Sequence, residues 1–225
     1  MYAFSPSLMC MDLLAFREQI DFLNGVADCY HVDIMDGHFV PNLTLSPYFV
    51  QEVKKAATLP VEAHLMVTDP GLILPLCLKA GADLVCLHAE TLDARAFRLI
   101  DQLRAGGCRV GIAFNPETGP EAARYYLGLV DKVTVMTVDP GFAGQKLIRP
   151  CLKKLEAFRE LREKEGYTYT VEVDGCCNAG TFRDLAQAGA ETFILGSGLF
   201  GLDPQLPKAW DRFRADFEAA TAGLA

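Results

Sequence analysis

His31, Asp33 and Met35 alternate with Val32 and Ile34 at the start of the stretch His31-Val-Asp-Ile-Met-Asp-Gly-His-Phe-Val-Pro-Asn42. Successive strand side chains point to opposite faces, so an imidazole, a carboxylate and a thioether share one face of a strand that runs into a glycine-containing loop. Burying unpaired polar groups is costly. That face therefore looks outward or meets something that satisfies it, and a metal ion would do so. His64 lies within the strand-like run 61–67, and Asp174 ends the run 168–174. Two neutral imidazoles and two carboxylates suit a divalent cation such as Zn2+, Co2+, Mn2+ or Fe2+. Taken singly, His64 reads as a hydrogen-bonded core histidine and Asp174-Gly175 as a turn. The joint pattern favours a metal site made by His31, Asp33, His64 and Asp174. His88 and Glu90 are candidates for supporting that site or touching a substrate, and His38 reads as a loop residue.

A second pattern concerns anions. The run 132–138 leads into Asp139-Pro-Gly-Phe-Ala-Gly-Gln145, Gly175 follows the run 168–174, and Gly196-Ser197-Gly198 follows the run 192–195. Glycines let backbone N–H groups approach an anion, and helix N-termini favour negative charge. Three such loops on one rim point to a phosphorylated substrate.

These residues need a frame that brings distant strand ends together. Strand-like runs at 4–10, 29–35, 61–67, 84–88, 109–114, 132–138, 168–174 and 192–195 alternate with amphipathic segments at 13–23, 46–57, 69–81, 94–105, 119–129, 150–165, 181–188 and 206–220. Asp12, Ser46 and Asp69 are candidate N-caps, and Gly106-Gly107 a helix stop. Strand–helix repetition implies parallel strands joined by helical crossovers. Eight units in 225 residues predict an α/β fold, a single-domain (β/α)8 TIM barrel over residues 1–225, with reactive groups at the C-terminal strand ends. Ala80-Gly-Ala-Asp83 and Ala188-Gly-Ala-Glu191 are similar junctions half a barrel apart.

A net charge of −8 argues against nucleic-acid or anionic-membrane partners. No apolar run reaches membrane-spanning length, and the N-terminus lacks a charged segment followed by an apolar one, so a cytoplasmic protein is expected. The eight cysteines include no C-x-x-C pair, and neither a disulfide framework nor a cysteine zinc site is expected.

With these residues in place, the sequence resembles the ribulose-phosphate 3-epimerase family over essentially its whole length. The resemblance is carried by Ser5-Pro-Ser-Leu8, the 31–42 stretch, His64-Leu-Met-Val67, Met136-Thr-Val-Asp-Pro-Gly-Phe-Ala-Gly-Gln145, Val173-Asp-Gly175 and Leu195-Gly-Ser-Gly198. Met9-Cys-Met-Asp12, Asn115-Pro-Glu-Thr118 and Asp174-Gly-Cys-Cys-Asn178 look closest to its D-allulose-6-phosphate 3-epimerase branch. The Gly196-Ser197-Gly198 loop has the shorter form of the pentose enzymes, and Cys176 stands where a small residue is expected.

The resemblance implies an isomerase that interconverts D-allulose 6-phosphate and D-fructose 6-phosphate at C3, with the D-ribulose 5-phosphate/D-xylulose 5-phosphate reaction as the alternative. It implies that His31, Asp33, His64 and Asp174 hold one divalent ion (Zn2+, Co2+, Mn2+, Fe2+ or Mg2+) and that Asp33 and Asp174 are the two acid/base groups. It places Ser7 and His64 at the substrate, and Gly141, Phe142, Ala143, Gly144, Gly175, Cys176, Gly196 and Ser197 around the phosphate. It also implies a homo-oligomer. Removing the C3 proton of a ketose makes an enediolate, which a divalent ion stabilises while one carboxylate acts as base and the other as acid. Met35, Met66 and Met136 would line the site, or simply fill the core. A decarboxylase or aldol-type synthase on such a barrel would be expected to carry Asp-x-Lys at a strand end, whereas Met35 follows Asp33 by two. A non-catalytic phosphosugar-binding barrel would not need both aspartates.

Overall fold

The alternation read from the sequence becomes the two faces of one sheet. In the computed structural model, which describes residues 2–224, eight parallel strands run β1 (Ala3–Pro6), β2 (Tyr30–Met35), β3 (Val61–Met66), β4 (Leu84–His88), β5 (Arg109–Phe114), β6 (Lys132–Met136), β7 (Thr170–Asp174) and β8 (Thr192–Leu195). Their order is β1-β8-β7-β6-β5-β4-β3-β2. The ends of that sheet meet where Ser7 bridges His31. The result is a (β/α)8 barrel forming a single domain.

Residues on one strand face, such as Val32, Ala63, Val85, Ile112, Val133, Val171 and Phe193, pack into one continuous apolar core beneath the helices. The opposite face looks into the barrel and is polar to an unusual degree. Ser5, His31, Asp33, Glu62, His64, His88, Lys132, Thr134 and Glu172 are all buried. Barrel interiors are ordinarily filled by branched apolar side chains. In this interior the small apolar group of Leu84, Cys86 and Ala113 fills one side.

The helices are α1 (Phe16–Leu23), α2 (Pro47–Ala56), α3 (Pro70–Ala80), α4 (Ala96–Ala105), α5 (Cys151–Glu165), α6 (Phe182–Ala188), α7 (Ser197–Phe200) and α8 (Leu206–Thr221). Their punctuation follows local chemistry. Asp69 accepts the Gly71 amide (3.0 Å), Pro70 opens α3, and Gly81 closes it in the left-handed region (φ 84°). Ser46 precedes α2 without a side-chain capping bond.

Three expectations are corrected. The first strand ends at Pro6, and Leu8–Cys10 turns into a 3-10 helix. The helix expected at 119–129 is two 3-10 turns, Pro120–Ala123 and Leu127–Leu129. Gly128 and the short span between β5 and β6 favour tight i→i+3 turns there. The short helix α7 was not anticipated, because four residues carry no periodicity.

The N-terminal rim shows an arrangement absent from the sequence reading. Phe4 N donates to Asp28 (2.8 Å), Val61 N to Asp83 (2.7 Å), Val110 N to Asp131 (2.8 Å) and Val171 N to Glu191 (2.9 Å). Each odd-numbered strand thus has an opening amide satisfied by an acidic residue that precedes the next even-numbered strand. The Asp83 and Glu191 junctions, noted as similar tetrapeptides, are two of four such ties.

Candidate active site

At the C-terminal end, β2, β3 and β7 bring four side chains to one point. His31 Nε2 lies 3.1 Å from His64 Nδ1, and Asp33 Oδ1 lies 3.2 Å from each of these nitrogens. Asp174 Oδ2 is 4.0 Å from His31 Nε2 and 3.7 Å from His64 Nδ1. One ligand atom from each residue lies within 4.8 Å of all the others. The outer ring nitrogens face away from this point. His64 Nε2 meets His88 Nε2 at 2.8 Å, and His88 Nδ1 meets Glu90 Oε2 at 3.3 Å. His31 Nδ1 lies 3.3 Å from Glu62 Oε2, off the line of a well-aligned hydrogen bond. With those nitrogens as donors, His31 Nε2 and His64 Nδ1 are left as lone pairs facing two carboxylates. A divalent cation satisfies that donor set, so the residues fit the expected metal.

The two carboxylates differ in environment. Burial alone would raise Asp33, but His31 and His64 against it hold it far below the usual carboxylate range. Its other oxygen accepts a 2.6 Å bond from Ser7 Oγ. Burial pushes Asp174 up to about 7, with Asp33 and Glu62 adding to the rise and His31 opposing it. Paired carboxylates pushed apart in this way are suited to acid and base roles, and a cation between them would draw both down.

Asp33 and Asp174 open onto a cavity of about 330 Å3, a size suited to a small ligand. Ser7, Met35, Met66 and Met136 line it, as do Gly141, Phe142, Ala143, Gly144, Gly175, Cys176, Gly196 and Ser197. The 31–42 stretch also shapes its rim. Asn42 Nδ2 donates to the Gly141 carbonyl (2.7 Å), and Gln145 Nε2 ties the same loop through the Asp139 and Phe142 carbonyls (2.6 and 2.9 Å).

The sequence profile described as the Ribulose-phosphate 3 epimerase family matches residues 3–200. The chain belongs to the ribulose-phosphate 3-epimerase family. It is 37% identical over 199 residues to the ribulose-phosphate 3-epimerase of Bacillus subtilis, covering 88% of this chain and 91% of that protein. It is 38% identical over 200 residues to that of Treponema pallidum, with 88% and 91% covered. In fold it is similar to a crystal structure of 3-hexulose-6-phosphate synthase, with a TM-score of 0.70 at 19% identity and 97% and 99% of the two chains covered. As a member of this family the chain is an isomerase of the racemase and epimerase class.

In this ribulose-phosphate 3-epimerase family member the structure gathers the expected site residues, with one difference. His64 joins the cluster of His31, Asp33 and Asp174, is fully buried and is set back from the cavity wall. His88 and Glu90 stand behind His64, His88 Nε2 on His64 Nε2 and Glu90 Oε2 on His88 Nδ1. His38 is in the exposed loop, its N–H on Asp36. Sequence reasoning missed Met9, Cys10 and Asn178 on the cavity wall. It also missed Glu62 and Lys132, whose inward parity with His31 and His64 was the available signal. The Gly196–Gly198 turn is held by close packing: a Cβ on Gly198 would lie 2.0 Å from the Cys177 carbonyl oxygen. Gly198→Ala is expected to cost about 2 kcal/mol, a Tm drop of roughly 4–8 °C by thermal melting, and to raise KM as the loop shifts.

Proposed function

We propose that the protein is a divalent-metal-dependent 3-epimerase of a ketose phosphate. The observation that carries this reading is the placement of Asp33 and Asp174 on the floor of a cavity whose rim is three glycine-bearing loops. His31, Asp33, His64 and Asp174 hold the ion, which when bound supplies Lewis-acid stabilisation of the negative charge that develops on the substrate.

The chain's own residues do the rest. Asp33 and Asp174 come from β2 and β7, strands separated by β8 and β1. In one direction Asp33 accepts the C3 proton and Asp174 returns one to the other face; the reverse reaction exchanges the roles. Ser7 Oγ holds Asp33 in position through its 2.6 Å bond. Met35 and Met66 pack with Val40 beside Met9 and Phe39, an apolar wall that keeps water from the carbanionic centre. The loops bearing Gly141, Phe142, Ala143 and Gly144, Gly175 and Cys176, and Gly196 and Ser197 take the phosphate.

D-ribulose 5-phosphate and D-xylulose 5-phosphate are the first substrate reading, supported by the names of the relatives. D-allulose 6-phosphate is the second. Met9, Cys10, Cys176, Cys177 and Asn178, from the stretches that resemble the allulose branch, all line the cavity. Comparing kcat/KM for the two ketose phosphates on one metal-loaded preparation separates them. The first reading expects at least about a tenfold preference for the pentulose; a hexulose preference of that size reverses the order. The free state of all eight cysteines supports a cytoplasmic setting.

A further inference from the structure

Below the metal-facing cluster the barrel holds a second group of charges that the mechanism above does not use. Lys132, from β6, bonds Glu62 Oε2 on β3 and lies 2.7 Å from Glu172 Oε1 on β7. Thr134 Oγ1 also donates to Glu172 Oε1 (2.9 Å). The Glu62 and Glu172 side chains are 0% and 1% exposed. Stability does not account for this triad. A buried ion pair contributes no more than well-packed apolar groups of the same volume, and such groups are what barrel interiors usually contain.

Its geometry suggests another role. The β2–β3 register sets His31 beside Glu62. Glu62 Oε2 is the carboxylate oxygen beside His31 Nδ1, at 3.3 Å and out of line for a hydrogen bond as it stands, and Nδ1 has no hydrogen-bond partner among the described residues. A carboxylate at Nδ1 fixes the proton there and leaves Nε2 as the lone pair, aimed at Asp33 and His64. Lys132 holds Glu62 in place through their buried contact. Glu172 holds the far side of Lys132 from the same inward face of β7 that carries Asp174. His64 has its own tether, through His88 to Glu90, so each ligand histidine is backed by a chain that ends in a carboxylate.

We propose that Glu62, anchored by Lys132, is a positioning residue for the metal centre: it sets the tautomer and ring orientation of His31 through Nδ1. This rests on the metal-centre reading above. The test uses the full-length protein, stripped of metal and titrated with Co2+, reading Kd and the visible absorption of the bound ion. Glu62→Gln is expected to weaken Co2+ binding by about 10- to 100-fold and to change the Co2+ spectrum. Glu172→Gln alters the far side of Lys132 while leaving Glu62 beside His31 Nδ1, and is expected to stay within about threefold of the parent Kd. Should Glu62→Gln fail to fold, Glu62→Gln with Lys132→Met removes the ion pair whole, and the same loss of affinity is expected. Parent-like Co2+ affinity and spectrum in a folded Glu62 variant would overturn the proposal, as would an equal loss in Glu172→Gln. A parent protein that binds no Co2+ would instead overturn the metal-centre reading, and this inference with it.

Discussion

Asp33→Asn and Asp174→Asn should each lower kcat for epimerisation by at least about 10³-fold while leaving a folded barrel. Asn keeps the shape of the carboxylate and loses its charge and basicity. The measurement is turnover by a coupled assay, together with solvent deuterium incorporation at C3. Turnover within tenfold of the parent in either variant would sink the two-base scheme. The stability readout separates chemistry from folding. Asp174 is raised from 3.8 to about 7, chiefly by burial. A carboxyl whose folded pKa lies above its unfolded value binds its proton more tightly in the native state. Its contribution is favourable below the unfolded value and is lost as pH rises through that window, so above pH 7 the ionised group costs stability. Asp174→Asn should therefore match or exceed the parent Tm at pH 8 when both are metal-free. An inactive enzyme with undiminished Tm is the signature of a residue kept for reaction at some cost to the fold.

Metal removal should have an effect of the same order. Dialysis against a chelator is expected to reduce turnover below about 1% of the loaded enzyme, and adding back a divalent ion to restore it. Because the four ligand atoms converge only in the folded barrel, an ion at 100 times its Kd should add about 2.7 kcal/mol of stability, or roughly 5–10 °C in Tm. Full activity after exhaustive stripping, confirmed by metal analysis, would rule the centre out of the reaction.

Much of this was legible in the sequence, for physical reasons that particular residues illustrate. His31, Asp33, His64 and Asp174 could be placed because strand parity fixes which side chains share a face, and because Asp69-Pro70 and Gly81 mark element ends by local chemistry alone. The helix expected after β5 failed because tight turns and helices share their starting signals, here Gly119-Pro120. The Glu62–Lys132 pair was not legible: its members lie 70 positions apart, and only closure of the barrel brings them together. The rim carboxylates Asp28, Asp83, Asp131 and Glu191 were hidden because an acidic residue in a junction reads as an ordinary solvated charge until the neighbouring strand is placed beside it. His64 could be assigned to the cluster, but whether it reached the cavity depended on how the barrel layers stack. Substrate length stayed out of reach because no single residue type or spacing in the sequence reads out five carbons against six.

The seam between β1 and β2 has a further consequence. It is joined at its base by Asp28 and Phe4, each donating a backbone N–H to the other (3.0 and 2.8 Å). At its top it is joined by the Ser7–His31 bridge and by Ser7 Oγ on Asp33. The upper clasp thus shares His31 and Asp33 with the candidate metal cluster. An ion held by that cluster is expected to tighten this seam as well, which would link ligation to closure of the ring. Stripping the ion is then expected to raise amide hydrogen exchange at the β1–β2 seam before the rest of the barrel.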